Sequence, residues 1–334
     1  MDPITQGTLG AALPQASANR ETVSAAGLLG FFAGMAADLD VVIRSEADPL
    51  LFLEYHRQFT HSLIFIPLGG FICALVLHAV FGRRRGLHFR QSWLFCTLGY
   101  ATHALLDACT TYGTMLFWPF SDVRIAWNTI SIIDPLFTLP VLTLVVLSWR
   151  KRRPRYAQLG LVWALCYMSL GLWMRNEAVE AGQALAATRG HQPTRLEAKP
   201  SFANIQVWKI VYETPDEFYV DAVRVGVSPK VFEGESVLKL EISRDMPWLD
   251  LSSQQAKDIE RFRWFSNGYV ALDPVFPNRV IDVRYSMLPN QVAPLWSIEL
   301  SPDAKPLQHA DYLTHRDANS DAVGRLWAMM TSPQ

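Results

Sequence analysis

The sequence predicts a mainly α fold, in which a polytopic bundle of about five transmembrane helices and a short N-terminal helix precede a small soluble α+β domain. Half of the 334 residues are hydrophobic, and nearly all the long apolar runs fall within residues 1–175. Two short, strongly basic loops separate some of those runs. Residues 190–334 have the mixed composition of an ordinary soluble sequence. The first two observations are typical of a membrane protein and the third is typical of a globular domain.

Five stretches reach or approach the roughly 20 residues that a helix needs to cross a bilayer. They are residues 22–43, 62–81, 92–109, 129–149 and 157–174. A buried helix in a large soluble core is the alternative for each stretch, but the 20 uncharged residues of the second one favour the membrane. Residues 2–16 are predicted to form a short helix that enters the bundle or lies on its surface.

The basic loops orient the predicted helices. One lies between the second and third stretches, and the other lies between the fourth and fifth. Their basic residues are Arg83, Arg84, Arg85 and Arg90 in the first loop, and Arg150, Lys151, Arg152, Arg153 and Arg155 in the second. Short loops rich in Lys and Arg stay in the cytoplasm, so we expect both loops inside. The predicted location is a cell membrane, specifically a bacterial inner membrane, with the C-terminal domain outside the cytoplasm.

The chain is predicted to divide into a transmembrane helical domain at residues 1–178, a linker at 179–200 and a soluble α+β domain at 201–334. The soluble part contains a helix at residues 252–266, capped by Ser252 or Ser253. Its stretches of strand composition are residues 207–212, 218–225, 237–242, 280–285 and 296–300. The sequence shows no catalytic constellation in this domain, which could cap a site or hold a substrate headgroup.

The composition and net charge limit the kinds of binding partner that we expect for this chain. The formal net charge of -1 gives no reason to expect a nucleic-acid partner. The four cysteines lie in the apolar half without CxxC spacing, and they are predicted to be small buried apolar residues. The expected partners are the lipid bilayer and a lipid-linked substrate, and the sequence identifies no protein partner.

Ionisable residues lie inside or beside the predicted spans, where they are costly and usually functional. Asp107 follows His103 by four residues, so both side chains share one helix face. That spacing suits a two-ligand metal clamp, a carboxylate that orients a ligand histidine, or a plain buried hydrogen bond. The predicted orientation puts this pair near the outer face, together with Asp134, although an Asp before Pro135 is equally an ordinary helix cap.

Two further elements reach the same outer face. His56 and His61 flank the start of the second span, one in the loop and one in the first turn, and we expect them to converge as metal ligands. Arg57 between them could hold an anionic substrate group or extend to the lipid headgroups. Asp38 and Asp40 end the first span, where carboxylates oppose the helix dipole and need compensation, either by a bound cation or by nearby Arg57 or Arg44.

These residues, taken in order, resemble the YdjM-like family of membrane-bound metal-dependent hydrolases. The resemblance covers about residues 1–150 and rests on an ordered series of motifs. The motifs are Asp2-Pro3-Ile4-Thr5-Gln6-Gly7, Asp38-Leu39-Asp40, His56-Arg57-Gln58-Phe59-Thr60-His61-Ser62, His103-Ala104-Leu105-Leu106-Asp107, Thr110-Thr111-Tyr112-Gly113-Thr114, Trp118-Pro119-Phe120-Ser121 and Ile133-Asp134-Pro135. Many relatives carry a histidine where this chain has Gln6, so one ligand that the family implies is absent here. The resemblance implies a membrane-bound helical fold and, through the family's His/Asp pattern, hydrolytic chemistry.

The sequence thus predicts a polytopic membrane hydrolase with a divalent metal, zinc by its ligand types, at the outer membrane interface. The predicted metal ligands are His56, His61, His103 and Asp107, with Asp38 and Asp40 next in order. The predicted catalytic residues are Asp38, Asp40 and Arg57. The metal would lower the pKa of a bound water, a spare carboxylate would act as base, and the substrate would be a lipid or lipid-linked ester or phosphoester.

Two alternatives stand beside the hydrolase. The first is a non-catalytic membrane protein whose polar cluster is structural and supports the extracytoplasmic domain. The second is a transporter with ion-coupling residues, which is disfavoured because the unusual polar residues are confined to one end and no inverted repeat is apparent.

Overall fold

A computed structural model describes residues 1–315 and 320–332 of the chain. These residues form two units. The N-terminal unit consists of Met1–Ile43, Tyr55–Trp173 and Phe202–Asn204, and the C-terminal unit consists of Arg44–Glu54, Met174–Ser201 and the described part of Ile205–Gln334.

The first 188 residues are mainly helical, as the apolar runs predict, apart from the non-helical residues between Cys109 and Pro135 and shorter connections. In chain order the helices are α1 (Pro3–Ser17), α2 (Val23–Met35), α3 (Leu51–Tyr55), α4 (Ile66–Leu77), α5 (Phe89–Cys109), α6 (Pro135–Lys151) and α7 (Pro154–Thr188). The predicted N-terminal helix is present as α1, which begins where the Asp2 side chain accepts a hydrogen bond from the backbone N–H of Thr5 at 3.0 Å. Pro3 suits the first turn because the N–H that it lacks would have no partner inside the helix.

Among the described residues, three helical segments are long and apolar enough to cross a membrane: Val23–Val42, Leu63–Arg85 and Pro154–Thr188. The prediction of five spans is therefore not confirmed. The third predicted span does form a helix, α5, but His103 and Asp107 make its sequence more polar. The fourth forms α6, which is only 17 residues long because it begins at Pro135.

Small residues let three helices of the N-terminal unit approach closely. A Cβ atom added at Gly34 on α2 would lie 2.8 Å from both the Gln6 carbonyl oxygen and the Gly10 Cα on α1. A Cβ added at Gly99 on α5 would lie 2.5 Å from the Gly30 carbonyl oxygen on α2. Close backbone approach through small residues is the usual way that helices associate in a membrane, where the surrounding lipid removes the hydrophobic drive.

This packing makes Gly34→Ala a disruptive substitution. We expect the added methyl group to push α1 and α2 apart and to destabilise the protein by about 1–3 kcal/mol, the usual effect of overpacking a core. Gly160→Ala on α7 is the matched control, because a Cβ there meets its nearest atom at 3.5 Å, an ordinary contact. Thermal unfolding in detergent measures both, and equal midpoints for the two variants would contradict the expectation.

The C-terminal unit contains two four-stranded antiparallel sheets, each with its strands in sequence order. The first sheet is β1 (Arg195–Pro200), β2 (Val207–Glu213), β3 (Glu217–Arg224) and β4 (Lys230–Leu238). The short helix α8 (Ile242–Asp245) and α9 (Gln254–Phe265) follow it. The second sheet is β5 (Val270–Leu272), β6 (Arg279–Asp282), β7 (Trp296–Glu299) and β8 (Asp311–Thr314), and α10 (Ser320–Thr331) follows.

Most predicted elements of this unit are present, with two differences. The predicted strand at 237–242 is displaced toward the N-terminus, because β4 ends at Leu238. Residues 179–200, predicted as a linker, contain the end of α7 and the strand β1, since the alanine-rich sequence continues the helix to Thr188. The predicted helix agrees closely, with the Ser253 hydroxyl accepting from the backbone N–H of Ala256 at 3.3 Å.

Candidate metal centre

Asp40 is a buried carboxylate that contacts four of the polar residues near the second candidate span: His56, Arg57, Thr60 and His61. A 3-10 helix at Ala36–Val42 continues α2 and turns Asp40 into the interior, where it is 4 % exposed. One of its oxygens accepts from the Arg57 backbone N–H at 3.0 Å and from the Thr60 hydroxyl at 2.7 Å. The other oxygen lies 2.8 Å from His56 Nδ1. Asp40 thus binds the residues that precede the second candidate span and fixes their conformation.

His61 is fully buried in a 3-10 turn at Phe59–His61. Its Nδ1 lies 2.9 Å from Thr60 Oγ1 and 3.2 Å from Asp40 Oδ2. Because the Thr60 hydroxyl donates its only hydrogen to Asp40, Thr60 Oγ1 acts as an acceptor toward His61. The His61 hydrogen therefore lies on Nδ1, and in the neutral ring Nε2 carries a lone pair.

His103 has the same arrangement from a different element. It is fully buried on α5, and its Nδ1 lies 2.5 Å from the backbone carbonyl oxygen of Gly34. A carbonyl oxygen only accepts, so Nδ1 carries the hydrogen and Nε2 of the neutral ring is again bare. The close approach of α2 and α5 at their glycines places this carbonyl within reach of the ring.

Four potential ligand atoms converge from three elements of the N-terminal unit. They are Asp38 Oδ1, His61 Nε2, His103 Nε2 and Asp107 Oδ2. The two imidazole nitrogens are 3.0 Å apart. His61 Nε2 lies 3.4 Å from the Asp38 oxygen and 3.3 Å from the Asp107 oxygen, and His103 Nε2 lies 3.3 and 3.6 Å from the same two atoms. This His/Asp group is able to hold a metal ion.

The chemistry and the dimensions of the group both fit a divalent metal. Four lone-pair acceptors meet with no hydrogen between them when both rings are neutral, so a cation or an added proton must lie among them. Zinc bonds of about 2.0–2.1 Å in tetrahedral geometry hold neighbouring ligand atoms about 3.3–3.4 Å apart. The five distances given above, 3.0–3.6 Å, bracket that value.

Asp107 is held in place through Oδ1, the carboxylate oxygen that is not among the four converging ligand atoms. Its Oδ1 accepts from the Gln6 side-chain amide at 2.8 Å and lies 2.5 Å from the backbone nitrogen of Met1. Its Oδ2 lies 3.0 Å from Arg57 Nε, but no described residue makes a well-aligned hydrogen bond to it. Gln6 therefore orients this carboxylate from α1, leaving Oδ2 to face the other three atoms.

Arg57 is turned inward. It is 5 % exposed and has a backbone φ of 64°, an uncommon conformation for a residue with a side chain. Its guanidinium donates to Thr110 Oγ1 at 3.2 Å and lies 4.8 Å from the centre of the Tyr112 ring. Within the protein, the guanidinium of Arg57 thus has Thr110, Tyr112 and Asp107 as neighbours. The predicted contact of Arg57 with a substrate anion stays a prediction.

The structure groups His56 differently from the other predicted ligands. His56 stands with Asp38 and Asp40 in a second group of possible ligands that shares Asp38 with the first. Its side chain is 16 % exposed, and burial lowers its pKa although the neighbouring Asp40 carboxylate opposes that shift. The predicted ligand set of His56, His61, His103 and Asp107 stays a prediction, and Asp38 is the residue that the geometry places with the last three.

Sequence reasoning missed two groups that orient the site and left open whether Asp134 belongs to it or only caps a helix. In the sequence, the only indication of the role of Thr60 is its position next to His61. For the Gly34 carbonyl, the only indication is a run of small residues. Asp134 caps α6 by accepting from the Leu136 and Phe137 backbone N–H groups, and both of its oxygens lie 2.9 Å from the Tyr167 hydroxyl. It therefore has a complete set of structural partners.

Comparison with known proteins gives one family and two relatives. The sequence model described as YdjM inner membrane protein matches residues 1–178, more than half of the chain. The uncharacterized protein YfhP of Bacillus subtilis (strain 168) is 24% identical over 258 residues, which cover 75% of this chain and 74% of that protein. The inner membrane protein YbcI of Escherichia coli (strain K12) is 38% identical over 81 residues, or 23% of this chain and 44% of that protein. No solved structure matches.

Proposed function

This chain belongs to the YdjM inner membrane protein family, and we propose that it is a membrane-embedded, metal-dependent hydrolase. The observation that carries the proposal is the convergence of Asp38, His61, His103 and Asp107 on one point. Imidazole nitrogen with carboxylate oxygen is a ligand set that suits zinc. A divalent metal at this point would have to take up a water beyond its four protein ligands, and it would then supply Lewis-acid chemistry and lower the pKa of that water.

The orientation of the rings supports assigning these four residues as ligands. Metal-binding histidines usually donate their other ring N–H to a carboxylate or a backbone carbonyl, which fixes both tautomer and direction. His61 has Asp40 and Thr60 in that position, and His103 has the Gly34 carbonyl. Asp40 accordingly acts as an orienting carboxylate in this proposal rather than as a ligand.

His56 is the residue that we assign to proton transfer. Its Nδ1 is held by Asp40 at 2.8 Å, which leaves Nε2 free to take a proton from water or give one to a leaving group. Asp38 is the only one of the four proposed ligands with a partly exposed side chain, at 26%. A substrate would therefore approach on the side shared by Asp38 and His56.

A lipid or lipid-linked ester or phosphoester is the substrate class that we propose, at the outer face of an inner membrane with the C-terminal domain outside the cytoplasm. Support comes from a loop joined to the site, in which the Met115 N–H donates to the Arg57 carbonyl oxygen at 3.0 Å. That loop exposes Phe117, Phe120 and Trp127, at 52%, 82% and 42%. Trp is enriched in the lipid headgroup region, and Phe together with Trp is typical of surfaces that lie at the boundary between headgroups and acyl chains.

Hydrolysis by the purified, full-length protein tests the proposal. We expect the zinc-loaded protein in mixed micelles to release fatty acid or phosphate from one class of lipid ester or phosphoester, and we expect chelation to abolish the release. Four protein ligands also form the closed arrangement typical of structural zinc. Stoichiometric metal without turnover of any class, together with a large loss of thermal stability on chelation, would therefore overturn the hydrolase and favour the structural alternative.

A further inference from the structure

Residues Arg44–Glu54 lie in the sequence between two parts of the candidate metal centre, yet they belong to the C-terminal unit. The segment begins four residues after Asp40 and ends two residues before His56. One residue of chain spans at most about 3.6 Å, so only a short length of chain separates each end of this segment from Asp40 or His56. A shift of either end would therefore move these residues.

An arginine of the C-terminal unit binds two carboxylates of the segment, which also contacts Tyr312 through the Phe52 ring at 5.2 Å. Arg261 on α9 donates two nearly parallel hydrogen bonds to the Asp48 carboxylate, at 2.9 and 2.8 Å. Its Nε also donates to Glu54 at 2.5 Å. A planar guanidinium that binds a carboxylate through two nitrogens fixes direction as well as distance, which a lysine cannot do.

Other residues of the C-terminal unit hold Arg261 in place. Asp258, one turn earlier on α9 and fully buried, accepts from Arg261 at 3.0 Å. The backbone N–H of Ala310 donates to Asp258 at 3.0 Å, and His309 Nδ1 lies at the same distance from it. Although burial raises the pKa of Asp48, the hydrogen bonds and charge of Arg261 more than offset this and lower it. The arginine thus joins three carboxylates, and without it they would repel one another.

We propose that Arg261 is a positioning residue for the metal centre: by anchoring Asp48 and Glu54 it holds the segment that sets Asp40 and His56. This proposal rests on the proposed function, because it concerns the affinity of the site for its metal. The C-terminal unit would accordingly tune the centre through the chain itself. An arginine on the same helix supplies a control, since Arg263 pairs with the exposed Glu260 at 3.2 Å.

Zinc affinity of the full-length protein tests the inference, measured by competition with a chelating dye, with Co²⁺ absorption as a second readout. We expect Arg261→Gln to raise the Kd for Zn²⁺ about 10-fold, as the loss of residues that orient ligands does, and to alter the Co²⁺ spectrum. Arg263→Gln should leave both unchanged, and Arg261→Lys should recover part of the loss. Asp48→Asn, which keeps Arg261 paired with Glu54 and Asp258, is the second variant in case Arg261→Gln does not fold.

The outcomes separate this inference from the proposed function. Wild-type affinity and an unchanged Co²⁺ spectrum in folded Arg261→Gln or Asp48→Asn would overturn the positioning role alone. A lower thermal midpoint with unchanged Kd would do the same, since it would show a purely structural contact. Failure of the wild-type protein itself to bind Zn²⁺ or Co²⁺ would overturn the proposed metal centre and this inference with it.

Discussion

Replacing His61 by alanine is expected to weaken Zn²⁺ binding by more than about 100-fold, because loss of a residue that only orients a ligand already costs 10–100-fold. His61 Nε2 lies within 3.0–3.4 Å of the other three converging atoms, so its removal opens one corner of the proposed tetrahedron. Asp107→Ala should have an effect of the same size, since Gln6 and Arg57 hold that carboxylate in place in the intact site. Chelator competition on the purified protein measures the affinity.

His78→Ala is the matched control for this prediction. His78 is a partly buried histidine of the same unit whose Nδ1 lies 2.9 Å from Ser92 Oγ, and it belongs to neither group of possible ligands. We expect its loss to leave the Zn²⁺ affinity unchanged. Equal affinities for the wild type, His61→Ala and His78→Ala would mean that the metal binds elsewhere.

The second large effect separates the geometric ligand set from the set predicted from sequence. If Asp38 is a ligand, Asp38→Asn should weaken Zn²⁺ binding by more than about 100-fold, because the neutral amide is a much poorer ligand for zinc. If His56 transfers protons, His56→Gln should keep the Zn²⁺ affinity within about 10-fold and lower the rate of hydrolysis by about 100-fold or more.

The paired variants give opposite results under the two assignments. His56→Gln protein that loses its metal, beside Asp38→Asn protein that keeps it, would restore the set of His56, His61, His103 and Asp107. The measurement needs both metal content and turnover on the same preparations, because Asp40 contacts His56 and His61 and a disturbed Asp40 could affect either reading.

The sequence predicts the helical N-terminal half because long apolar runs identify membrane helices by themselves. The predicted count of five spans is not confirmed: among the described residues, α5 carries the polar residues of the site and α6 begins only at Pro135, so neither is long and apolar enough to qualify. Membership of an inner membrane protein family agrees with the predicted location. The orientation, with Arg84 inside and the C-terminal domain outside, stays a prediction that reporter fusions at both places would test.

The sequence predicts only part of the candidate site. His103 and Asp107 share a helix face by spacing alone, and the pair does meet across that face at 3.6 Å. The choice between Asp38 and His56 depends instead on the 3-10 turn at Ala36–Val42 and on the positive φ of Arg57, neither of which has a pattern in the sequence. The carbonyl that orients His103 depends on how closely α2 and α5 pack, which only three-dimensional contacts reveal.

The metal content of wild-type protein, purified without chelators and analysed by plasma mass spectrometry, tests the central claim most directly. If Asp38, His61, His103 and Asp107 form a metal centre, the protein should carry about one divalent metal ion per chain, with zinc preferred by this ligand set. Protein that holds no stoichiometric metal as purified, and takes up none when zinc is supplied, would contradict it.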